Sequence, residues 1–317
     1  MEVLRDIDAC PSPPEGSVVT IGAYDGVHLG HRAVIGEVID RARTDGHRSA
    51  VVTFDQHPAQ VIRPDSAPLL LTDLDQKLEL LADTGVDYTV VVHFDAERAH
   101  ESAEDFVTTV LVDCLNASAV VVGEDFHFGH RRRGNVALLE EMGSQLGFEV
   151  NGHKLVGRDG HAARDDEQVS STAIRRALHE GRLADANSML GRPYEMRGPV
   201  VPGDRRGREL GFPTANVAIG SMMLMPADGI YAGRMTTPGG LCLPSAVYIG
   251  KRPTFYEDQA MTLLEVHALD FTGDLYGQRV QVQFTHRIRP DARFASVDEL
   301  TEQLKVDCDT ARHLLSV

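Results

Sequence analysis

The first half of the chain alternates short, almost wholly apolar runs with segments whose apolar residues recur at helical spacing. Ser17 to Gly22 reads SVVTIG, and the segment from His31 to Arg43 then places Val34, Ile35, Val38, Ile39 and Ala42 on one helical face. SAVVTF (49–54), YTVVV (88–92) and SAVVVG (118–123) repeat the strand-like texture. Between them, Thr72 with Asp75 and Ser102 with Asp105 resemble capping boxes. They precede helices carrying Leu74, Leu78, Leu81 and Phe106, Val110, Cys114. Strands this apolar, separated by helices, predict a parallel sheet covered on both faces, whose ligands bind at the carboxyl ends of the strands.

After about Gly191 the texture changes to short runs cut by Gly and Pro: GPVVPG, GFPTANV, DGIYAG, PSAVYIG, LLEVHAL and RVQVQF. This punctuation predicts a small antiparallel barrel. A closing helix is expected over 296–315, where Ser296 and Glu299 cap a segment carrying Leu300, Leu304 and Leu314. The fold class expected is therefore α/β plus β, a doubly wound parallel-sheet domain over 1–187 followed by a barrel domain over 188–317. The border falls between 185 and 192, without a low-complexity linker or internal repeat.

Composition narrows the function. The 317 residues carry 31 Lys and Arg against 47 Asp and Glu, a formal charge of −16, which disfavours broad binding to nucleic acid while leaving small phosphorylated ligands allowed. Cys10, Cys114, Cys242 and Cys308 show no metal-binding spacing, and reduced thiols in a cytoplasmic protein are the simplest expectation. The opening MEVLRDIDACPSPP has no leader pattern, and no apolar stretch reaches the ~18 residues of a membrane span, so no membrane partner is expected. A homo-oligomer is compatible with the sequence.

The chemistry concentrates in a few stretches. GAYDGVHLGH (22–31) follows one predicted strand and opens a predicted helix, where backbone N–H groups and the helix dipole favour an anion. His28 and His31 stand within reach of one phosphate there, and Gly26 and Gly30 permit close backbone approach and positive φ. Alternatively one histidine caps the turn and the other is solvated, or the pair binds a metal with Asp25. SSTAIRRAL places Ser170, Ser171 and Thr172 at a helix N-terminus with Arg175 one turn later, either a second phosphate clamp or an ordinary cap with a solvated arginine. GDRRGRELGFPTAN (203–216) combines Gly203, Gly207 and Gly211 with Arg205, Arg206 and Arg208. It is a segment able to close over phosphates, with Thr214 and Asn216 offering oxygens to a hard cation, or else a basic hairpin loop. It lacks the P-loop pattern. Glu265, in an apolar run, is a solvent-side strand residue, a base, or half of a buried ion pair.

Together GAYDGVHLGH and SSTAIR resemble the nucleotidyltransferase superfamily whose HxGH and SSTxxR motifs hold a nucleoside triphosphate. With TFDQHP (53–58) and VGEDFHFGHRRRGN (122–135), the first half resembles the N-terminal module of the bifunctional riboflavin kinase/FMN adenylyltransferases, the prokaryotic FAD synthetases. GRELGFPTANV, ADGIYAG, IGKRPTF and LEVHALDFTGDLYG follow in the order of the riboflavin kinase module, so the resemblance spans roughly residues 16–315.

The resemblance implies a nucleotidyltransferase domain followed by a small β-barrel kinase domain with a C-terminal helix. It implies ATP and Mg²⁺ in both reactions, with riboflavin, FMN and FAD as substrates and products. By the same resemblance Gly22, Asp25, Gly26, His28, His31, Ser170, Ser171, Thr172 and Arg175 belong to the ATP side of the first site, where FMN attacks the α-phosphorus and pyrophosphate leaves. Phe54, His57, Asp125 and Phe128 belong to its flavin side. Gly203, Arg208, Gly211, Thr214 and Asn216 hold ATP and Mg²⁺ in the second site, with Glu265 as base on the riboflavin 5′-hydroxyl.

Tyr24 in place of Phe, Gln56 in place of Pro and Gln168 in place of a basic residue depart from the family pattern, and Arg131 to Arg133 are candidates to compensate for Gln168. Two alternatives follow: a kinase whose adenylyltransferase site is weakened, or a non-catalytic flavin-binding regulator.

Overall fold

The computed structural model describes residues 1–5, 7, 10–153, 169–203, 206–250 and 261–317. Backbone contacts divide it into two compact units, residues 1–171 and 172–317.

In the first unit, β1 (Glu2–Arg5), β2 (Ser17–Ile21), β3 (Arg48–Phe54), β4 (Tyr88–Val92), β5 (Ala117–Gly123) and β8 (Glu149–His153) form one sheet in the order β1-β4-β3-β2-β5-β8. All five pairings are parallel. The two-residue strands β6 (His127–Phe128) and β7 (Gly134–Asn135) pair with each other. The helices are α1 (Leu29–Asp45), α2 (Pro58–Ile62), α3 (Leu74–Ala82), α4 (Ala103–Phe106), which continues as π-helix over Val107–Cys114, and α5 (Val136–Leu146).

Alternation along the strands divides the core. Val19, Ile21, Val52, Val90, Val120 and Val122 face Phe106, Val110, Leu111 and Leu139 on one side, whereas Val18, Val51, Ala119 and Val121 contribute to clusters containing Ile35, Val38 and Leu81 on the other. The sheet is thus doubly wound, as the continuous apolar runs predict. The strand order reverses at β2, with β3 on one side and β5 on the other. That reversal opens a crevice beyond the carboxyl end of β2, where GAYDGVHLGH begins.

Two edge strands, β1 and β8, were absent from the predicted set. Their short segments, EVLR and EVNGH, carry few apolar residues because an edge strand is covered less completely than a central one. The capping expectation holds at Ser102 and Ser296, whose side chains accept from the N–H groups of Asp105 and Glu299. It fails at Thr72: α3 is capped by Asp73, which accepts from Gln76, because the Thr72 hydroxyl is engaged with the turn after β2.

The expectation of four reduced thiols is also overturned. Cys10 and Cys114 are disulfide-bonded, with Cα atoms 4.7 Å apart. The chain leading into β2 lies against the end of the π-helical segment, where Ser12 N–H donates to the Cys114 carbonyl and the Asn116 amide to that of Pro13. Spacing of 104 residues in sequence conceals such proximity. Cys242 is exposed and free, while Cys308 is buried and free, its thiol pushed up to about 11 by that burial.

The second unit begins within α6 (Ser171–His179) and continues through α7 (Leu183–Leu190), β9 (Tyr194–Val201), α8 (Arg206–Glu209), β10 (Ala215–Gly220), β11 (Gly229–Thr236), β12 (Cys242–Ile249), β13 (Met261–Ala268), β14 (Arg279–Arg289) and α9 (Val297–Leu315). The six strands close an antiparallel barrel in the order β10-β13-β12-β11-β14-β9. Each coincides with one of the six runs read from the sequence. Tyr231 and Phe284 fill the interior edge to face, 5.4 Å apart, and Val217, Val247, Leu264 and Val282 are fully buried beside them. The outer residues Ala232 and Ala246 pack against Cys308, Ala311 and Leu315 of α9.

A polar clamp fixes that helix. Arg289 of β14 donates to both carboxylate oxygens of Asp307, at 2.9 and 2.7 Å, and Gln303 adds a third donor at 2.9 Å. Asp307 is 2% exposed, so removing it leaves a half-buried guanidinium without its partner. Asp307→Ala is expected to cost about 3 kcal/mol, or ~10²-fold faster hydrogen exchange in peptides of β14 and α9. Exchange in β5 should be unaffected.

Candidate active sites

The turn after β2 is built around buried polar groups. Gly22 N–H donates to the Val52 carbonyl, which joins the turn to β3. Tyr24, Gly26 and Val27 then adopt φ of +48°, +85° and +37°, a conformation that costs a β-branched valine about 1–3 kcal/mol and is retained only where its surroundings enforce it. They do so here. Both Asp25 carboxylate oxygens accept from Leu71 N–H, at 2.9 and 3.0 Å, and one also accepts from the Thr72 N–H and hydroxyl. The Thr72 hydroxyl in turn accepts from Gly26 N–H at 3.1 Å. Asp25 is 5% exposed and organises the loop, a role distinct from the metal-ligand alternative.

The departure at Tyr24 has a structural account: its hydroxyl shares a 2.6 Å hydrogen bond with Thr20, and burial pushes its ionisation far upward, so it stays neutral. Its ring meets His31 edge on, 5.0 Å away, and His31 stacks on His28 at 3.6 Å. His28 is the N-cap of α1, its Nδ1 accepting from His31 N–H at 3.3 Å. The capping alternative and the phosphate reading are therefore compatible, since the cap leaves the imidazoles together at the helix N-terminus.

The second motif meets the first. Ser171 begins α6, and its hydroxyl donates to the backbone carbonyl of Asp25 at 2.9 Å. A Cβ on Gly30 would lie 3.3 Å from the Val169 carbonyl, a close approach that glycine eases. Ser170 precedes Ser171, and Thr172 and Arg175 continue the same helix. Gln168, together with residues 154–167, lies outside the described residues.

The flavin-side candidates occupy the carboxyl ends of the two neighbours of β2. Phe54 ends β3 and contacts Phe94 edge to face at 5.4 Å, while His57 caps α2 through Nδ1. Gln56, the departure from proline, donates to the Phe94 carbonyl at 2.7 Å and so gains an anchor that proline lacks. Burial opposes the charge of Asp55, but the N–H groups of Phe94 and Gln56 and the His93 ring hold its carboxyl below the usual range. On the other side, Asp125 is exposed just beyond β5, and Phe128 stacks near-parallel on Phe126 at 5.4 Å. Phe54 and Phe128 pack against the same core cluster. Arg131, Arg132 and Arg133 are exposed in a tight turn beyond Phe128, a solvated run. A cavity of about 20 Å³ lies between GAYDGVHLGH and TFDQHP, bordered by Asp25, Asp55, His57, Thr72 and Lys77.

In the barrel, strand register assembles the second constellation. Asn216 of β10 lies directly opposite Glu265 of β13, and Glu265 directly opposite Tyr248 of β12. The rung shares the outer face with Ala232 and Ala246, two positions along their strands. Burial, with Asp291 and Glu265 adding to it, pushes the Tyr248 hydroxyl up to about 12, so it remains a neutral donor beside Glu265. Asn216 is 6% exposed, and its Oδ1 has no partner among the described residues. Gly203 passes so near that any side chain there would collide with the Asn216 amide. Thr214 and Arg208 border a cavity of about 560 Å³ with Phe271, Asp274 and Tyr276, in the range of small-ligand sites. Gly211 follows α8 with φ +87°. Arg205 and the KRPTF portion of IGKRPTF lie outside the described residues.

Comparison with known proteins identifies the family of both units. A family model described as FAD synthetase matches residues 10–173, and one described as riboflavin kinase matches 190–315. Over 318 aligned residues the chain is 39% identical to the bifunctional riboflavin kinase/FMN adenylyltransferase of Escherichia coli (strain K12), covering 100% of this chain and 99% of that protein. The chain belongs to the bifunctional riboflavin kinase/FMN adenylyltransferase family. The Haemophilus influenzae relative of the same name is 35% identical, with 98% of each chain aligned. A solved Streptococcus pneumoniae structure described as a macrolide-efflux protein superposes with a TM-score of 0.83 and 30% identity, covering 98% of this chain and 99% of that one. The efflux in that name is ascribed to that protein; among the described residues here no helix is long and apolar enough to cross a membrane.

Thr72, which fastens the turn after β2, reads in sequence as a helix cap, and only Asp73 beside it could have signalled a second capping residue. Thr72→Val keeps the shape but removes the acceptor for Gly26 and a donor to Asp25. It should destabilise the turn by about 1–3 kcal/mol, read as faster amide exchange over 22–28 with the barrel unchanged.

Proposed function

We propose that the family's two reactions run at these two sites: riboflavin is phosphorylated to FMN on the barrel, and FMN is adenylylated to FAD in the crevice of the parallel sheet, with ATP as co-substrate of both. The observation that carries the reading is the junction of GAYDGVHLGH and SSTAIR at the strand-order reversal, through Ser171 and Asp25. Two phosphate-holding motifs that are ~140 residues apart in sequence gain meaning as a single site only if they meet. A cytoplasmic location, where ATP is made, suits both reactions.

In the crevice, the stacked His28 and His31 and the N–H groups opening α1 hold the ATP phosphates, joined by Ser170 and Ser171. Phe54, His57, Asp125 and Phe128 receive the flavin side. A phosphate oxygen of FMN bonds to the α-phosphorus as the bond to the pyrophosphate oxygen breaks. Alignment and charge neutralisation carry such a reaction, and no protein nucleophile is needed.

On the barrel, Glu265 takes the proton of the riboflavin 5′-hydroxyl as that oxygen attacks the γ-phosphorus. Gly203, Arg208 and Gly211 belong to the segment that covers the phosphates. The buried Oδ1 of Asn216, without a partner among the described residues, and the hydroxyl of Thr214 are neutral oxygen donors suited to Mg²⁺, which binds hard oxygen ligands. Bound there with ATP, Mg²⁺ supplies neutralisation of phosphate charge.

Each site can be disabled separately. Glu265→Gln should lower riboflavin phosphorylation by ~10²-fold or more, the scale of a general base, while FAD formation from supplied FMN continues at the normal rate. His28→Ala or His31→Ala should lower FAD formation from FMN at least ~10-fold and leave the kinase intact. Chromatographic separation of riboflavin, FMN and FAD reads both arms. Equal loss of both activities in either folded variant contradicts the assignment, as does full turnover of both steps in excess chelator.

A further inference from the structure

A lysine stands in the apolar row of α3. Leu74, Lys77, Leu78 and Leu81 follow helical spacing, and Lys77 is only 8% exposed. Its ammonium is saturated by three oxygens: the Ala23 carbonyl at 3.3 Å, the Thr53 hydroxyl at 3.2 Å and the Phe54 carbonyl at 2.6 Å. The Thr53 hydroxyl also donates to the Ala23 carbonyl at 3.2 Å, which closes the network.

These oxygens belong to two different pieces of the crevice. Ala23 lies in the turn that carries His28 and His31, whereas Thr53 and Phe54 end the strand that leads to His57. One buried cation therefore fastens the phosphate-holding turn to the flavin-side segment. No neutral side chain can replace it, since hydroxyls and amides offer too few donors for three acceptors. Burying a lysine is costly, and here the cost is met at the seam between two substrate segments, not in a structural corner remote from them.

We propose that Lys77 is a positioning residue for adenylyl transfer, fixing the turn after β2 against the end of β3 so that the FMN phosphate oxygen lies in line with the α-phosphorus of ATP. It takes no proton and contacts neither reacting atom. When the new oxygen–phosphorus bond forms and the bond to pyrophosphate breaks, its contribution is the alignment of the two protein segments. This inference rests on reading the crevice as the adenylyltransferase site.

Three charged or titratable groups border the cavity beside Lys77: Asp25 and Asp55, whose charges favour the ammonium, and His57. Burial outweighs the two carboxylates and pushes Lys77 down to about 8. Above that pH the amine keeps two donors and turns a lone pair toward one of its three oxygens, so the fastening weakens as pH rises. Ordinary carboxylates and imidazoles titrate well below this range, at about 4 and ~6.5.

The test uses the full chain. Lys77→Met should lower kcat for FAD formation from FMN and ATP by roughly 10²-fold, the scale of a misalignment near 1 Å, with KM for each substrate within ~3-fold. Riboflavin phosphorylation should be unchanged, and Lys77→Arg should recover at least ~10-fold of the loss. In the wild type, kcat for FAD formation should fall as pH passes about 8, while Lys77→Arg, charged throughout, should show no such fall.

Near-normal kcat in Lys77→Met, a rise in one KM alone, or the same alkaline fall in Lys77→Arg overturns the proposal. Should neither variant fold, a flat wild-type profile between about pH 7 and 9.5 overturns it without any substitution. A wild-type chain that forms no FAD would instead remove the adenylyltransferase reading itself.

Discussion

The buried carboxylate of Asp25 is the interaction on which the first site depends. Four short polar contacts draw Leu71 and Thr72 onto it, and its own backbone carbonyl receives Ser171. One residue thus ties three stretches together: the turn after β2, the entry to α3 and the start of α6. Without that network, Tyr24 and Val27 would have little reason to keep positive φ, and the turn could relax toward an ordinary loop.

The barrel reaches a comparable result by different means. Among the described residues no buried carboxylate organises its constellation; the antiparallel register does, setting Asn216, Glu265 and Tyr248 side by side on adjacent strands. A shift of one residue in β13 would turn Glu265 into the barrel interior and Leu264 and Val266 out of it, so the apolar alternation that fixes the core also fixes the placement of Glu265. Activity there is coupled to the stability of the register. In the sheet unit it is coupled to a loop network instead, which is why substitutions at Thr72 and at Asp307 are expected to act through different elements.

The central features were legible because they rest on periodicity. Continuous apolar runs gave away β2 through β5, alternation cut by Gly and Pro exposed all six barrel strands, and Ser102 and Ser296 marked two helix starts. What escaped has a common cause: it depends on partners distant in sequence. β1 and β8 are edge strands with weak apolar signals. The pairing of Cys10 with Cys114 reflects the course of the segment entering β2, which no spacing rule describes. Thr72 looks like a cap, and neither it nor Asp25 signals in sequence that the two are bonded to each other. Lys77 is marked in sequence only as a lone cation in a row otherwise made of leucines.

Net charge of −16 poses a last physical question, because ATP and FMN are themselves anions. Few basic side chains need oppose that field if the donors are fixed in place: the N-terminus of α1 offers backbone N–H groups that follow a turn held by Asp25, Thr72 and Ser171. Oriented dipoles need no reorganisation when phosphate charge develops, whereas exposed lysines and arginines would be screened by salt and free to move. On the barrel, the proposed metal-holding oxygens of Thr214 and Asn216 are neutral and add no negative charge to a site read as taking ATP. The acidic surface and the anionic substrates are therefore compatible: attraction is confined to two short-range, preorganised sites, and the far field contributes little to holding the substrates.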